Sequence, residues 1–177
     1  MSRNSGWNTP FRLALALLLL AAGAAFARPQ APLPFEPNVV GAGTLRFMGF
    51  ALYDGRLWSP SGRWDAEAPY ALELTYARAF DGEDIVGRSI DEIRRLRAPD
   101  EATLARWEAR LKAIFPDVKA GDRLTGVRLP GQGARFYVGE RLLGRLEDEA
   151  LADAFFAIWF DPRTRAPDLR RKLLGRQ

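Results

Sequence analysis

Apolar and polar side chains alternate most sharply between Tyr70 and Phe80. Even positions carry Tyr70, Leu72, Leu74, Tyr76, Arg78 and Phe80, and odd positions carry Ala71, Glu73, Thr75, Ala77 and Ala79. Period two over eleven residues predicts a strand with one bulky face. Leu45 to Tyr53 predicts another strand. Leu45, Phe47, Gly49, Ala51 and Tyr53 lie on one face and Arg46, Met48, Phe50 and Leu52 on the other, so both faces are largely apolar and the strand is expected to be central. Asp54-Gly55 then signals a two-residue hairpin into Arg56-Leu57-Trp58. Ser59 to Pro69 is a polar loop with Gly62 and prolines.

The period changes after Phe80. Asp81 can cap a helix running to about Leu96, with Ile85, Ile90, Ile93 and Leu96 inward. A second helix begins near Pro99-Asp100-Glu101 and ends before Pro116, its Leu104, Trp107, Leu111, Ile114 and Phe115 recurring at three and four. Arg123 to Leu129, Ala134 to Val138 and Arg141 to Leu146 follow as three short strands. Pro130-Gly131-Gln132-Gly133 and Gly139-Glu140 turn them into an antiparallel meander. Asp148 caps a helix that buries Leu151, Phe155, Ile158 and Trp159 and stops at Asp161-Pro162. A last helix runs from Pro167 to Leu174 and closes at Gly175. This order predicts an α+β domain, an antiparallel sheet carrying its helices mainly on one face.

The N-terminus reads differently. Arg3 and Arg12 without acids, an apolar run from Leu13 to Ala25 and Ala25-Phe26-Ala27 have the layout of a secretory leader cleaved after Ala27. The run is too short for a membrane span. The expected organisation is therefore a leader over 1–27, an extended proline-rich lead-in over 28–40 and one domain over 41–177. The expected address is the periplasm or the exterior, with no stable membrane anchor after cleavage. Of the 177 residues, 26 are basic and 22 acidic, and losing Arg3 and Arg12 with the leader leaves a net charge of +2. That excess is too small to argue for nucleic acid.

Two absences narrow the chemistry further. The chain holds no His and no Cys. A Ser-His-Asp triad, a thiol nucleophile, a disulfide and the usual zinc and copper ligands are therefore excluded. No cofactor is implied. Carboxylate acid–base chemistry and oxygen-ligand metal sites stay open in principle.

Five motifs in order carry a resemblance. Gly41 to Asp54 (GAGTLRFMGFALYD), Ala71 to Tyr76 (ALELTY), Phe115-Pro116-Asp117, Gly121 to Leu124 (GDRL) and Phe155 to Trp159 (FFAIW) resemble the bacterial exported chalcone-isomerase-like proteins over residues 40 to 175. The resemblance implies an open-faced β-sandwich, a large antiparallel sheet with a helical layer and a ligand cleft between them. It also implies where catalytic residues would fall. The family's Thr falls on Met48, its Arg on Glu36, its Tyr on Ile85, its Asn on Glu92 and its late hydroxyl residue on Ala166. None of these types is kept, which argues against ordinary chalcone cyclisation. Non-catalytic relatives of the fold bind fatty acids.

The candidate ligand-binding residues are Arg78, Tyr53, Arg46, Tyr76 and Trp159. Arg78, between Tyr76 and Phe80 on a bulky face, is either a cleft contact for an anion or carbonyl, or a strand-end Arg whose head reaches water, Glu73 or Asp81. Arg46 and Tyr53 fall on opposite faces of one predicted strand, so at most one is expected in the cleft. Trp159, Phe155 and Phe156 either wall a flat ligand or fill a core. The leading reading is an exported domain that binds a small apolar or amphipathic molecule, fatty-acid or flavonoid-like, without chemistry. The alternative is an isomerase or intramolecular lyase in which Arg78 or Arg46 stabilises an oxyanion and Tyr53 or Tyr76 donates a proton. A partner-binding module is a third possibility, marked by an exposed apolar patch on the sheet's outer face.

Overall fold

The computed structural model describes residues 28–176, so the expected leader over residues 1–27 lies outside the described residues. Among the described residues six strands form one antiparallel sheet in sequential order. They are β1 (Asn38–Phe47), β2 (Phe50–Ser59), β3 (Tyr70–Tyr76), β4 (Arg123–Arg128), β5 (Ala134–Val138) and β6 (Arg141–Leu146). Four helices accompany them: α1 (Gly82–Arg97), α2 (Glu101–Lys112), α3 (Glu149–Phe160) and α4 (Pro167–Leu173). The α+β class and the helix-covered sheet follow the sequence expectation.

The inner face of the sheet presents Leu57, Leu72, Leu74, Leu124 and Phe136 to one core. Val86, Ile90 and Ile93 of α1, Leu104 and Leu111 of α2, and Leu151, Phe155 and Phe156 of α3 meet them there. Two of the helix starts are chemically capped: Asp100 accepts from Thr103 N, and Asp148 accepts from Leu151 N. Asp81 makes no such side-chain bond. At that end Asp117 Oδ1 accepts from Gly82 N at 2.8 Å. The last helix lies directly on β1, where a Cβ at Gly41 would fall 2.0 Å from the Lys172 carbonyl oxygen.

Several sequence expectations are corrected. Residues 45–53 are not one strand but the end of β1, a turn and the start of β2, with Phe47 paired to Phe50. The turn is Met48-Gly49, at φ 49° and 84°, the left-handed pair that a two-residue type I′ hairpin requires. Asp54-Gly55 instead stays inside β2, opposite Thr44 and Gly43, and β1 is an edge strand, not a central one. The strand from Tyr70 ends at Tyr76, because the chain bends at Ala77 toward α1, which leaves Arg78 outside the sheet and exposed. The first strand already begins at Asn38, inside the expected lead-in.

Residues of the lead-in have a structural task. Ala31, with Leu33 and Phe35 beside it, packs on Trp58, Ala71, Val127, Leu129 and Tyr137 at one end of the sheet's outer face. The rest of that face is polar. Thr44 Oγ1 donates to Asp54 Oδ1 at 2.5 Å, and the buried Glu73 carboxylate accepts from Arg123 at 2.9 Å and from Gln30 N at 3.4 Å. The exposed large hydrophobic residues are Phe47, Met48, Phe50 and Leu142, so the apolar outer patch expected of a partner module is not what the described residues expose.

Candidate functional site

Between the sheet and the helices lies a cavity of about 440 Å³, within the range of sites that hold one small molecule. Its deep wall is apolar. Leu72 and Leu74 of β3, Leu124 and Gly126 of β4, Phe136 of β5, and Phe155 and Phe156 of α3 form it, with Phe115 from the segment after α2. The aromatic rings brace one another edge to face: Phe136 meets Phe155 at 5.1 Å between centroids and Phe155 meets Phe156 at 5.6 Å. Room for two of these rings comes from Gly126, where a Cβ would sit 3.0 Å from Phe156 Cζ and 3.1 Å from Phe136 Cε1.

Two tyrosines lead the uncharged polar groups of the lining, beside the buried Ser89 and Thr164, whose hydroxyls donate to the carbonyl oxygens of Ile85 and Ile158. Tyr53 accepts a hydrogen bond from Trp159 Nε1 at 2.9 Å, which leaves its own O–H free to donate. Burial pushes its hydroxyl up to about 12, against the opposing hydrogen bond from Trp159. Burial raises the Tyr76 hydroxyl as well. Tyr76 packs edge-on against Tyr53, ring centroids 6.0 Å apart. Both phenols are therefore neutral donors across the physiological range and weaker acids than free tyrosine.

Charge is confined to the mouth. Arg46, Asp84, Arg88, Glu92 and Arg165 line it. Arg165 Nη1 lies 2.9 Å from Glu92 Oε1, and Arg95 Nη2 lies 2.6 Å from Glu92 Oε2, so Glu92 is neutralised from both sides. The Arg165–Glu92 pair, with Arg95 Nη1 donating to the Arg163 carbonyl oxygen at 2.9 Å, also fastens the loop after α3 to α1. Among the described residues neither Arg46 nor Arg88 has a carboxylate partner within salt-bridge distance. No group of three or more acidic side chains among those residues is placed to hold a metal ion.

Of the five candidates from sequence, Tyr53, Arg46, Tyr76 and Trp159 all line this cavity and Arg78 does not. The expectation that Arg46 and Tyr53 exclude each other fails. They belong to paired strands, Leu45 faces Tyr53, and a register shift between Leu45 and Arg46 turns Arg46 to the same cavity. Arg88, Arg165 and Phe47 are lining residues that the sequence reading passed over. A signal existed for one of them: Ile85, Arg88 and Glu92 recur at three and four along α1 and share a face. Of the positions marked by the resemblance, Ile85, Glu92 and Ala166 line the cavity. Met48 sits at the hairpin tip, and the exposed Glu36 pairs with Arg28 at 3.1 Å.

The sequence model of the chalcone isomerase-like family matches residues 38–175. In fold, the chain is similar to the crystal structure of a fatty-acid binding protein of Arabidopsis thaliana. The TM-score is 0.62 at 9% identity, over 83% of this chain and 90% of that one. At such identity the likeness is one of fold. No curated protein matches the sequence.

Proposed function

Since the chain belongs to the chalcone isomerase-like family, we propose that it binds one small amphipathic molecule, fatty-acid or flavonoid-like, in the sheet–helix cavity and releases it unchanged. The observation that carries this reading is the polarity gradient of the cavity, aromatic and aliphatic within and charged only at its mouth. An apolar tail gains from leaving water along the deep wall. A carboxylate or phenolate head stays at the rim, where Arg46 and Arg88 supply guanidinium donors. The Tyr53 hydroxyl can donate to a carbonyl or ether oxygen deeper in. The fatty-acid binding of the Arabidopsis protein with the same fold is consistent with such cargo.

Against turnover stands the chemistry of the lining. The inner wall carries no carboxylate or amine to act as a base, and both phenols are harder to ionise than usual. The layout of residues 1–27 supports export, which places the cargo outside the cytoplasm.

The test is mass spectrometry of organic extracts of the purified protein, with displacement of a fluorescent fatty acid by lipids and flavonoids. Saturable displacement is expected, and Arg46→Glu with Arg88→Glu should weaken anionic competitors about tenfold while sparing neutral ones. No bound compound and no displacement would overturn the reading. Turnover of a displacing compound that is lost in Tyr53→Phe would replace it with the intramolecular-lyase alternative.

A further inference from the structure

The β1–β2 hairpin ends in a tip that costs the fold something and gives its core nothing. Phe47, Met48 and Phe50 are 61%, 82% and 68% exposed. Three adjacent large apolar side chains at that exposure are unusual on a surface. Met48 also occupies the left-handed region at φ 49°, a conformation that Asn or Gly adopts with less strain. A turn residue chosen for the backbone alone would be polar or absent. The tip is continuous with the cavity, because Phe47 and Arg46 line its mouth.

Charge around the tip is one-sided. Between Leu45 and Tyr53 the single charged residue is Arg46. Its Nη1 donates to the Gly49 carbonyl oxygen at 3.2 Å, which holds the guanidinium beside the turn. Arg88 and Arg165 stand at the same mouth, where Glu92 is already bridged by Arg95 and Arg165 and Asp84 is the remaining acid. An apolar point collared by arginines matches the layering of an anionic bilayer, acyl chains beneath phosphate.

We propose that the Phe47-Met48-Gly49-Phe50 tip inserts into the surface of anionic lipid membranes and brings the cavity mouth against the bilayer. Insertion buries the three side chains that the fold leaves in water. Arg46 then lies at headgroup depth. Docking is a property of this surface and holds whether or not the cavity carries a ligand.

The chain has no cysteine, so Met48→Cys provides a unique site for a polarity-sensitive fluorophore. Gln132→Cys labels an exposed loop at the opposite end of the strands. With vesicles of phosphatidylglycerol and phosphatidylethanolamine, the label at position 48 is expected to shift to the blue and to be quenched by brominated acyl chains. The label at position 132 should do neither, and pure phosphatidylcholine vesicles should give a weaker response at position 48. Phe47→Ser with Phe50→Ser should lower the vesicle-bound fraction on the order of tenfold or more at unchanged thermal unfolding.

Equal responses at the two labels, or unchanged vesicle binding in the double serine variant, would overturn the proposal. The second result would place vesicle binding elsewhere on the protein. A concentration-dependent dimer that the serine changes dissociate, without any vesicle response at position 48, would assign the tip to a second copy of the chain and equally overturn it.

Discussion

Arg128 and Arg46 show how differently one residue type is used. Arg128 is buried and spends all five N–H donors: Nε on Asp153, Nη1 on the carbonyls of Leu129 and Gly133, and Nη2 on Glu149 and Asp153. It ties the β4–β5 turn to the start of α3 and is unavailable to a ligand. Arg46 keeps its charge for the cavity mouth. Asp161 is a third kind of charged residue, a carboxylate clamped by hydrogen bonds from Arg163 and Arg97 where α3 ends. The Arg163 guanidinium, aided by Arg97, holds its carboxyl well below the usual carboxylate range. A depressed folded pKa means that the stabilisation is present above about pH 4, the unfolded value, and fades as pH falls further. Asp161→Asn should therefore cost about 2 kcal/mol at pH 7, and its urea midpoint should converge on that of the unsubstituted chain in acid. A gap independent of pH would contradict this assignment.

At the scale of elements, helices were legible and the first hairpin was not. The bounds of α1, α2 and α3 follow from apolar spacing and from Asp100, Asp148 and Pro162, signals that act within a few residues. The β1–β2 hairpin misled because its turn carries Met48 where Asn or Asp is the ordinary choice, while Asp54-Gly55 resembles a turn but lies within a strand. There Gly55 makes room for Leu173 of α4, whose Cδ2 would be 3.4 Å from a Cβ, and Asp54 accepts from Thr44. Those reasons come from another strand and another helix. Relief of the left-handed strain gives a direct check. Met48→Asn should raise the thermal midpoint by about 2 °C, and calorimetry that shows a fall instead would mean that Met48 packs in the folded protein.

For the whole molecule, the cavity is the object that stability and binding share. Gly126 sets its depth, since a larger side chain there displaces Phe156 and Phe136 into the space a ligand would use. A bound ligand at a hundred times its dissociation constant adds about 2.7 kcal/mol to the folded state. Gly126→Val is expected to abolish that increment in thermal melts, at a stability cost of about 1–3 kcal/mol for overpacking. An undiminished ligand-induced shift in the valine variant would place the binding site elsewhere. The lead-in also belongs to this scale. It covers the apolar end of the outer face with Ala31, Leu33 and Phe35, and so makes the proline-rich segment part of the fold.

By itself the sequence determined the α+β class, the helix bounds, the β4–β6 meander and the family motifs, because periodicity, caps and turn glycines act over a few neighbouring residues. It also marked Tyr53, Tyr76, Arg46 and Trp159 as residues of interest. Only the tertiary structure decided that these four share one cavity, that Arg78 stands apart, and that Arg88 and Arg165 join the mouth. The register shift at Leu45/Arg46 and the contact of Tyr53 with Trp159, 106 residues away in sequence, arise from pairings between distant segments. Which faces those pairings bring together depends on strand register and helix docking, and neither is written in the spacing of nearby residues.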